Sequence, residues 1–276
     1  MKYLLNGPYF DPLAHGSNVL PGQQAYSHVM AFSSAAMAYI QLGDPRYRDA
    51  LVNGWRFLDE QSYATGGWGP NELLITPGNG ALASSLTTTT NHYETPCGTF
   101  ATMKAARYLM RFTGDARYGD GLERIMWNGL MTVKPPDSNG NAPYYSSYHP
   151  DGRKVFYPEK WPCCSGTLVQ GVADYVRNAY FHAPGALYVN LFTPSRVRGA
   201  AAAGRSRSHS TPTIQPARPP SCASRPPHRR ISPSESACRA GSRPIRRSTS
   251  TAGARAWRPI RARSPKSGAR GAMATG

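Results

Sequence analysis

Apolar residues recur at helical spacing, not alternating spacing, through most of the first 180 positions. In residues 23–42, Tyr26, Val29, Met30, Phe32, Ala36, Met37 and Ile40 form a broad stripe that predicts a buried helix. A second helix is expected after Asp44, an N-cap followed by Pro45 at the first helical position. A third is predicted near 98–112 and a fourth within "GDARYGDGLERIMWNGLMTV". A fifth is predicted within "SGTLVQGVADYVRNAYF", capped by Ser165 or Thr167. The period changes at 142–158, which reads as a β-hairpin turning at Pro150, Asp151 and Gly152. Residues 186–195 read as a strand.

One junction occurs twice. Gly43-Asp44-Pro45-Arg46-Tyr47 returns as Gly114-Asp115-Ala116-Arg117-Tyr118. In each copy the glycine is placed to end one helix and the aspartate to begin the next. A repeated helix–turn–helix unit points to an all-α array or ring of hairpins, not a simple bundle. A long Gly- and aromatic-rich loop over 62–98 separates the copies, and loops of that length in a compact domain usually serve function.

Charge changes the picture only at the C-terminal end. The net charge of +17 resides almost wholly in residues 199–276, which hold 16 Lys and Arg against one acid, Glu235. That stretch has no Leu, Val, Phe, Tyr, Asn or Asp, so it cannot bury enough apolar surface to offset chain entropy. The expected division is a folded domain over 1–197 and a disordered, non-native tail over 198–276. A reading-frame shift in a GC-rich gene accounts for the tail better than an evolved basic arm, since it holds a single Lys and no repeat. The body carries no basic stripe or nucleic-acid reader motif, so no specific nucleic-acid partner is expected. No apolar run is long enough to span a membrane, and "MKYLLNGPYF" is too short in apolar residues for a secretory signal. The five cysteines, an odd number, argue against a secreted disulfide scaffold. The default compartment is the cytoplasm.

Three of those cysteines lie in the body, and two of these are adjacent, Cys163 and Cys164 in "KWPCCSGT". A vicinal pair closes a strained ring as a disulfide, but it can put two thiolates on one metal. Glu94 and Cys97 in "HYETPCGT" are three apart, which on a helical turn places them on one face. Three thiolates and a carboxylate make a four-coordinate zinc set; the alternative is a group of buried free thiols acting as small apolar residues. Glu72 follows the glycines of "ATGGWGPNE", where Trp68 is a candidate to stack on a sugar and an ordinary turn is the competing reading. His15 and His28 flank the first helix, and His92, beside Glu94, is better placed than either to face a site and is a candidate to bind substrate. A lone histidine is more often structural than catalytic.

The segments "SYATGGWGPNE", "HYETPCGT", "YYSSYHPDGRKVFYPEKWPCCSGT" and "ALYVNLFTPS", in this order, resemble the β-L-arabinofuranosidase-like proteins of glycoside hydrolase family 127 over about residues 9–197. The resemblance implies an (α/α)6 barrel of helical hairpins, of which this chain holds only part, beginning partway in. It implies Zn2+ on Glu94, Cys97, Cys163 and Cys164, with Cys163 as nucleophile and Glu72 as general acid/base. It implies a carbohydrate substrate of arabinofuranoside type, with His15 and His28 as sugar-binding candidates. This chain reads Glu-Thr-Pro-Cys where the more familiar form is Glu-Thr-Cys. The competing function is a non-catalytic fragment whose basic tail binds nucleic acid without specificity.

Overall fold

The computed structural model describes residues 8–156, 162–183 and 186–196, together with the isolated pair 213–214. Apart from that pair, the tail lies outside the described residues. The described body is mostly helical, as the periodicity predicts. A short helix α1 (Phe10–Ala14) precedes α2 (Ala25–Leu42) and α3 (Pro45–Asp59). After a 3-10 turn (Pro70–Glu72) come α4 (Ala81–Thr88), the two-residue strand β1 (Tyr93–Glu94) and α5 (Thr95–Thr113). Next is α6 (Ala116–Ile125), which runs into a π-helical turn (Met126–Leu130). The hairpin strands β2 (Pro143–Ser146) and β3 (Lys154–Phe156) lead to α7 (Cys163–Tyr175). Strands β4 (Tyr180–Ala183) and β5 (Ala186–Val189) pair with each other, as do β6 (Ser195–Arg196) and β7 (Thr213–Ile214).

The repeated junction folds the same way twice. Gly43 and Gly114 end α2 and α5 at φ 76° and 69°, a left-handed conformation that a Cβ would oppose. The side chains of Asp44 and Asp115 accept from the backbone N–H of Arg46 and Arg117, each at 3.0 Å. The result is two helical hairpins, α2–α3 and α5–α6, packed through α2 and α5.

Helix α5 is the centre of the molecule. It packs against α2, α6 and α7, and 15 of its 19 residues are buried. Its partners contribute Val29 and Phe32 of α2, Leu122 and Ile125 of α6, and Leu130 of the π turn. The stripe predicted for α2 is buried at Val29, Phe32 and Ala36, but Met37 is 43% exposed. A buried ion pair braces α5 to α7, with Arg107 Nη1 2.9 Å from Asp174 Oδ2. Removing one member strands the other charge in the core. Asp174→Ala is therefore expected to cost about 3–5 kcal/mol in a urea unfolding titration, far more than loss of an exposed pair.

Several boundaries differ from expectation. The predicted loop over 62–98 contains a 3-10 turn, α4 and β1. Helix α7 starts at Cys163, after Pro162 in an extended conformation, so neither Ser165 nor Thr167 caps it. Ser165 Oγ instead accepts from the N–H of Ala142 at 3.0 Å, and the Thr167 hydroxyl turns back to the Cys163 carbonyl at 3.1 Å. The strand expected over 186–195 is broken into β5 and β6. Strand β1 adds an edge to the β2–β3 hairpin, pairing Tyr93 with Ser146 and Glu94 with Tyr145. No helix among the described residues is long and apolar enough to cross a membrane.

Candidate active site and metal centre

Two helix N-termini converge beneath the three-stranded sheet. Glu94 is the N-cap residue of α5, and Cys97 lies in its first turn. Cys163 and Cys164 open α7. The unpaired N–H groups of each first turn carry partial positive charge, which favours carboxylate and thiolate there. The extra Pro96 sits within the first two positions of α5, where its missing N–H costs no helical bond. Cys97 is fully buried in the cluster all the same.

The donor atoms of Glu94, Cys97, Cys163 and Cys164 all lie within 4.8 Å of one another. Cys97 Sγ is 3.2 Å from Cys163 Sγ and 3.4 Å from Cys164 Sγ. Glu94 Oε1 is 3.2 Å from Cys163 Sγ and 3.5 Å from Cys164 Sγ. A tetrahedral zinc with ordinary bond lengths would separate two sulfurs by about 3.8 Å and a sulfur from a carboxylate oxygen by about 3.5 Å. The cluster is close to that size before any ion is considered. Its second carboxylate oxygen, Glu94 Oε2, is buried with no hydrogen-bond partner, an orphan that a cation would satisfy. All three cysteines are free thiols, which leaves them available as ligands.

Electrostatics agree. Burial pushes the Glu94 carboxyl up to about 8. Burial also drives the Cys164 thiol far above its usual range, and the contact with Cys163 raises Cys97. Cys163 is the exception. Hydrogen bonds from Cys164 and then Cys97 draw it well below an ordinary thiol. Cys163 is also the exposed member, whereas the other three donors are buried.

Glu72 sits on the neighbouring 3-10 turn. Asn71 and Glu72 both adopt positive φ, 52° and 61°, a costly conformation for residues with a Cβ. The turn is pinned by the Asn71 N–H to Asn91 O at 2.8 Å and by the Thr89 hydroxyl to Asn71 Oδ1 at 2.6 Å. Tyr145 donates its hydroxyl to Glu72 Oε1, and Gln24 donates its amide to Oε2 at 3.3 Å. Burial is the main cause that raises Glu94 and Tyr144, and the charge of Glu72 adds to both, so the carboxylate is an electrostatic neighbour of the cluster.

The remaining candidates divide. Trp68 is 2% exposed, packed edge-on against Tyr93, and its indole N–H donates to Thr102 Oγ1 at 2.9 Å. Its ring face is spent on the core, which corrects the sugar-stacking expectation. His92 is also fully buried. Its Nε2 bonds the Ser85 carbonyl at 2.9 Å, and its Nδ1 accepts from the Tyr148 N–H at 2.8 Å. Both nitrogens are committed, so His92 holds the hairpin and is not free to bind sugar. His15 is exposed beyond α1, with Nδ1 2.7 Å from the Asp11 carbonyl. His28 lies one turn after Gln24, half-buried against Tyr9. No histidine joins the metal-binding group among the described residues.

Sequence reasoning missed the tyrosines. Tyr144 and Tyr145 are successive strand residues, which should face opposite ways. A register shift between Pro143 and Tyr145 breaks that rule, and their rings meet at 4.6 Å. The Tyr144 hydroxyl then lies 3.8 Å from Cys163 Sγ while that of Tyr145 reaches Glu72. The aromatic run "YYSSY" was the signal, but the bulge that gives it meaning is not written in composition. Lys154, on β3, donates to Ser146 Oγ, which shares a 2.5 Å bond with Thr95 Oγ1. Burial lowers its ammonium to about 8. Below pH 8 both folded and unfolded chains hold the proton, and the folded chain bears the whole cost of burying it. Between about 8 and 10.5 the folded chain sheds the proton first and the cost fades. Lys154→Met is expected to raise Tm at pH 7 by roughly 2–4 °C, allowing for partial exposure, and to converge on the parent near pH 10.5. Thermal melts across that range check it.

A model of the glycoside hydrolase family 127 β-L-arabinofuranosidase catalytic domain matches residues 2–177. Among solved structures, the fold is similar to a β-L-arabinofuranosidase of that family from Geobacillus stearothermophilus T6, with a TM-score of 0.53 and 19% identity. The match covers 69% of this chain and 31% of that one. A second structure, described as a glycoside hydrolase, aligns at a TM-score of 0.46 and 17% identity, covering 64% of this chain and 33% of that one. No curated protein matches the chain. The match of the catalytic-domain model across residues 2–177 makes the chain a member of the glycoside hydrolase family 127 catalytic-domain family.

Proposed function

We propose that this chain carries the catalytic groups of a retaining glycosidase acting on arabinofuranoside-type glycans, with Cys163 as nucleophile and Glu72 as general acid/base. One observation supports the reading above the others: among four clustered donors, Cys163 is the single exposed one, open to a ligand from solvent. The donor set fits Zn2+, which when bound supplies the positive charge that keeps all three thiols deprotonated. In the first step the Cys163 sulfur forms a bond to the anomeric carbon. The bond from that carbon to the leaving oxygen breaks, and Glu72 delivers its proton to that oxygen. In the second, Glu72 takes a proton from water, the water oxygen attacks the same carbon, and the carbon–sulfur bond breaks to restore the thiolate. Two displacements at one carbon retain its configuration.

A second reading, a non-catalytic fragment, draws on the outer face of α7. There Val169 and Val172 are 69% and 53% exposed, and Val176, in the 3-10 turn (Val176–Asn178) that follows the helix, is 64% exposed. Acid-quenched mass spectrometry after mixing with an activated aryl arabinofuranoside separates the two. A pentosyl adduct on the peptide carrying Cys163 supports the glycosidase. Metal-loaded protein that gives neither adduct nor turnover supports the fragment.

A further inference from the structure

Both oxygens of the acid/base carboxylate accept a side-chain hydrogen bond, one from Tyr145 and one from Gln24. We propose that Tyr145 and Gln24 are positioning residues whose hydroxyl and amide fix the two oxygens of Glu72 and aim it at the leaving oxygen beside Cys163. The inference rests on the catalytic reading of Glu72 given above.

Three features converge on it. First, Gln24 cannot turn its amide. Its Oε1 accepts from the Ser27 N–H at 2.7 Å and so caps α2, which leaves Nε2 facing Glu72 Oε2 at 3.3 Å. The cap thus ties the carboxylate to the end of an 18-residue helix packed into the core. Second, Tyr145 reaches Glu72 from the opposite side because of the strand irregularity described above. Its backbone pairs with that of Glu94. One strand therefore places Tyr144 by the nucleophile sulfur and Tyr145 by the acid. Third, the backbone that follows Glu72 is anchored to the segment that carries Gln24. Gln24 and Leu73 form an isolated antiparallel bridge, flanked by the Leu74 N–H to Gln23 O at 2.9 Å and the Gly22 N–H to Leu74 O at 2.7 Å. The positive φ of Asn71 and Glu72 is sustained by this network. A carboxylate needed only for solubility would have no cause to sit in that conformation with both oxygens engaged.

A residue that aims a general acid matters in proportion to how much the leaving group needs the proton. The test compares kcat/KM, which reports the first chemical step, for the full chain on para-nitrophenyl and para-methylphenyl arabinofuranosides. Tyr145→Phe removes the hydroxyl and keeps the ring against Tyr144. Gln24→Ser removes the amide donor and keeps an N-cap oxygen for α2. Each is expected to lose roughly tenfold on the poor leaving group and at most about two- to threefold on the activated one. Glu72→Gln should show the same dependence more steeply, within the 10²–10⁴ range of general acid catalysis. Equal losses on both substrates in Tyr145→Phe and Gln24→Ser, with Glu72→Gln still leaving-group dependent, would overturn the positioning role alone. A Glu72→Gln variant with no leaving-group dependence would overturn the acid/base reading beneath it, as would absence of turnover by the parent chain. Metal content equal to the parent in each variant verifies that the site has folded. Should Tyr145→Phe fail that check, Gln24→Ser tests the same carboxylate from the other oxygen.

Discussion

Cys163→Ser will lower kcat on an activated aryl arabinofuranoside by at least about 10³-fold, while most of the bound metal stays in place. The size follows from the chemistry of the sulfur. A serine hydroxyl at the same position is a far weaker nucleophile unless a base takes its proton, and no histidine joins the cluster among the described residues to do so. A thousandfold loss corresponds to about 4 kcal/mol of transition-state stabilisation, well within what removal of a covalent nucleophile costs. Retention of metal follows from the other three donors, since Glu94, Cys97 and Cys164 are buried and keep their places. The two readouts belong together. Activity lost with metal retained marks Cys163 as the reacting group, whereas metal lost in step with activity marks it as a ligand alone. Full turnover in Cys163→Ser would remove the thiolate mechanism altogether.

The sequence shows the helical frame where local chemistry is decisive. The Gly-Asp junctions are legible because a left-handed C-cap and an aspartate N-cap are set by single residues, and both copies form as read. The cysteine cluster is legible for a different reason. Thiols are scarce in the body, so three of them near one glutamate leave few other groupings. Trp68 and His92 are the opposite case. Their neighbours in sequence are glycines and a carboxylate, which suggested an open site. Their environment is set by Thr102, Tyr93, Ser85 and Tyr148, residues distant in the chain that tertiary packing brings together. The clamp on Glu72 was hidden in the same way, since Gln24 and Tyr145 lie 48 and 73 positions from it. Periodicity could not reveal the bulge that turns Tyr144 and Tyr145 to one side, because alternation is the rule a bulge breaks.

The second large effect concerns the metal itself. The chain is expected to bind one Zn2+ and to lose it in Cys97→Ala. Cys97 is the buried hub of the group, in contact with both other sulfurs and with the Thr167 hydroxyl at 3.0 Å. Alanine there offers no ligand atom and leaves a buried hole at the N-terminus of α5, whereas serine at position 163 keeps an oxygen at the exposed corner of the group. Metal bound only to the folded chain stabilises it by mass action, about 4 kcal/mol at a thousandfold excess over Kd. At roughly 2–4 °C per kcal/mol, a strong chelator should therefore lower Tm by about 8–16 °C in the parent and hardly at all in Cys97→Ala. The sign of the pH dependence is fixed as well. In the metal-free chain burial lifts Glu94 to about 8, so between about 4.5 and 8 the unfolded chain ionises this carboxyl more readily, and stability falls as pH rises. The metal-bound chain behaves in the opposite sense, because its ligands must be deprotonated and proton competition weakens as pH rises. The gap in Tm between loaded and chelated protein should therefore widen from pH 5 to pH 8. A parent insensitive to chelator would mean that the three thiols and Glu94 are packed as core groups and that the vicinal cysteines hold no metal, whereas a gap that stayed constant with pH would mean that proton competition for the ligands does not govern binding.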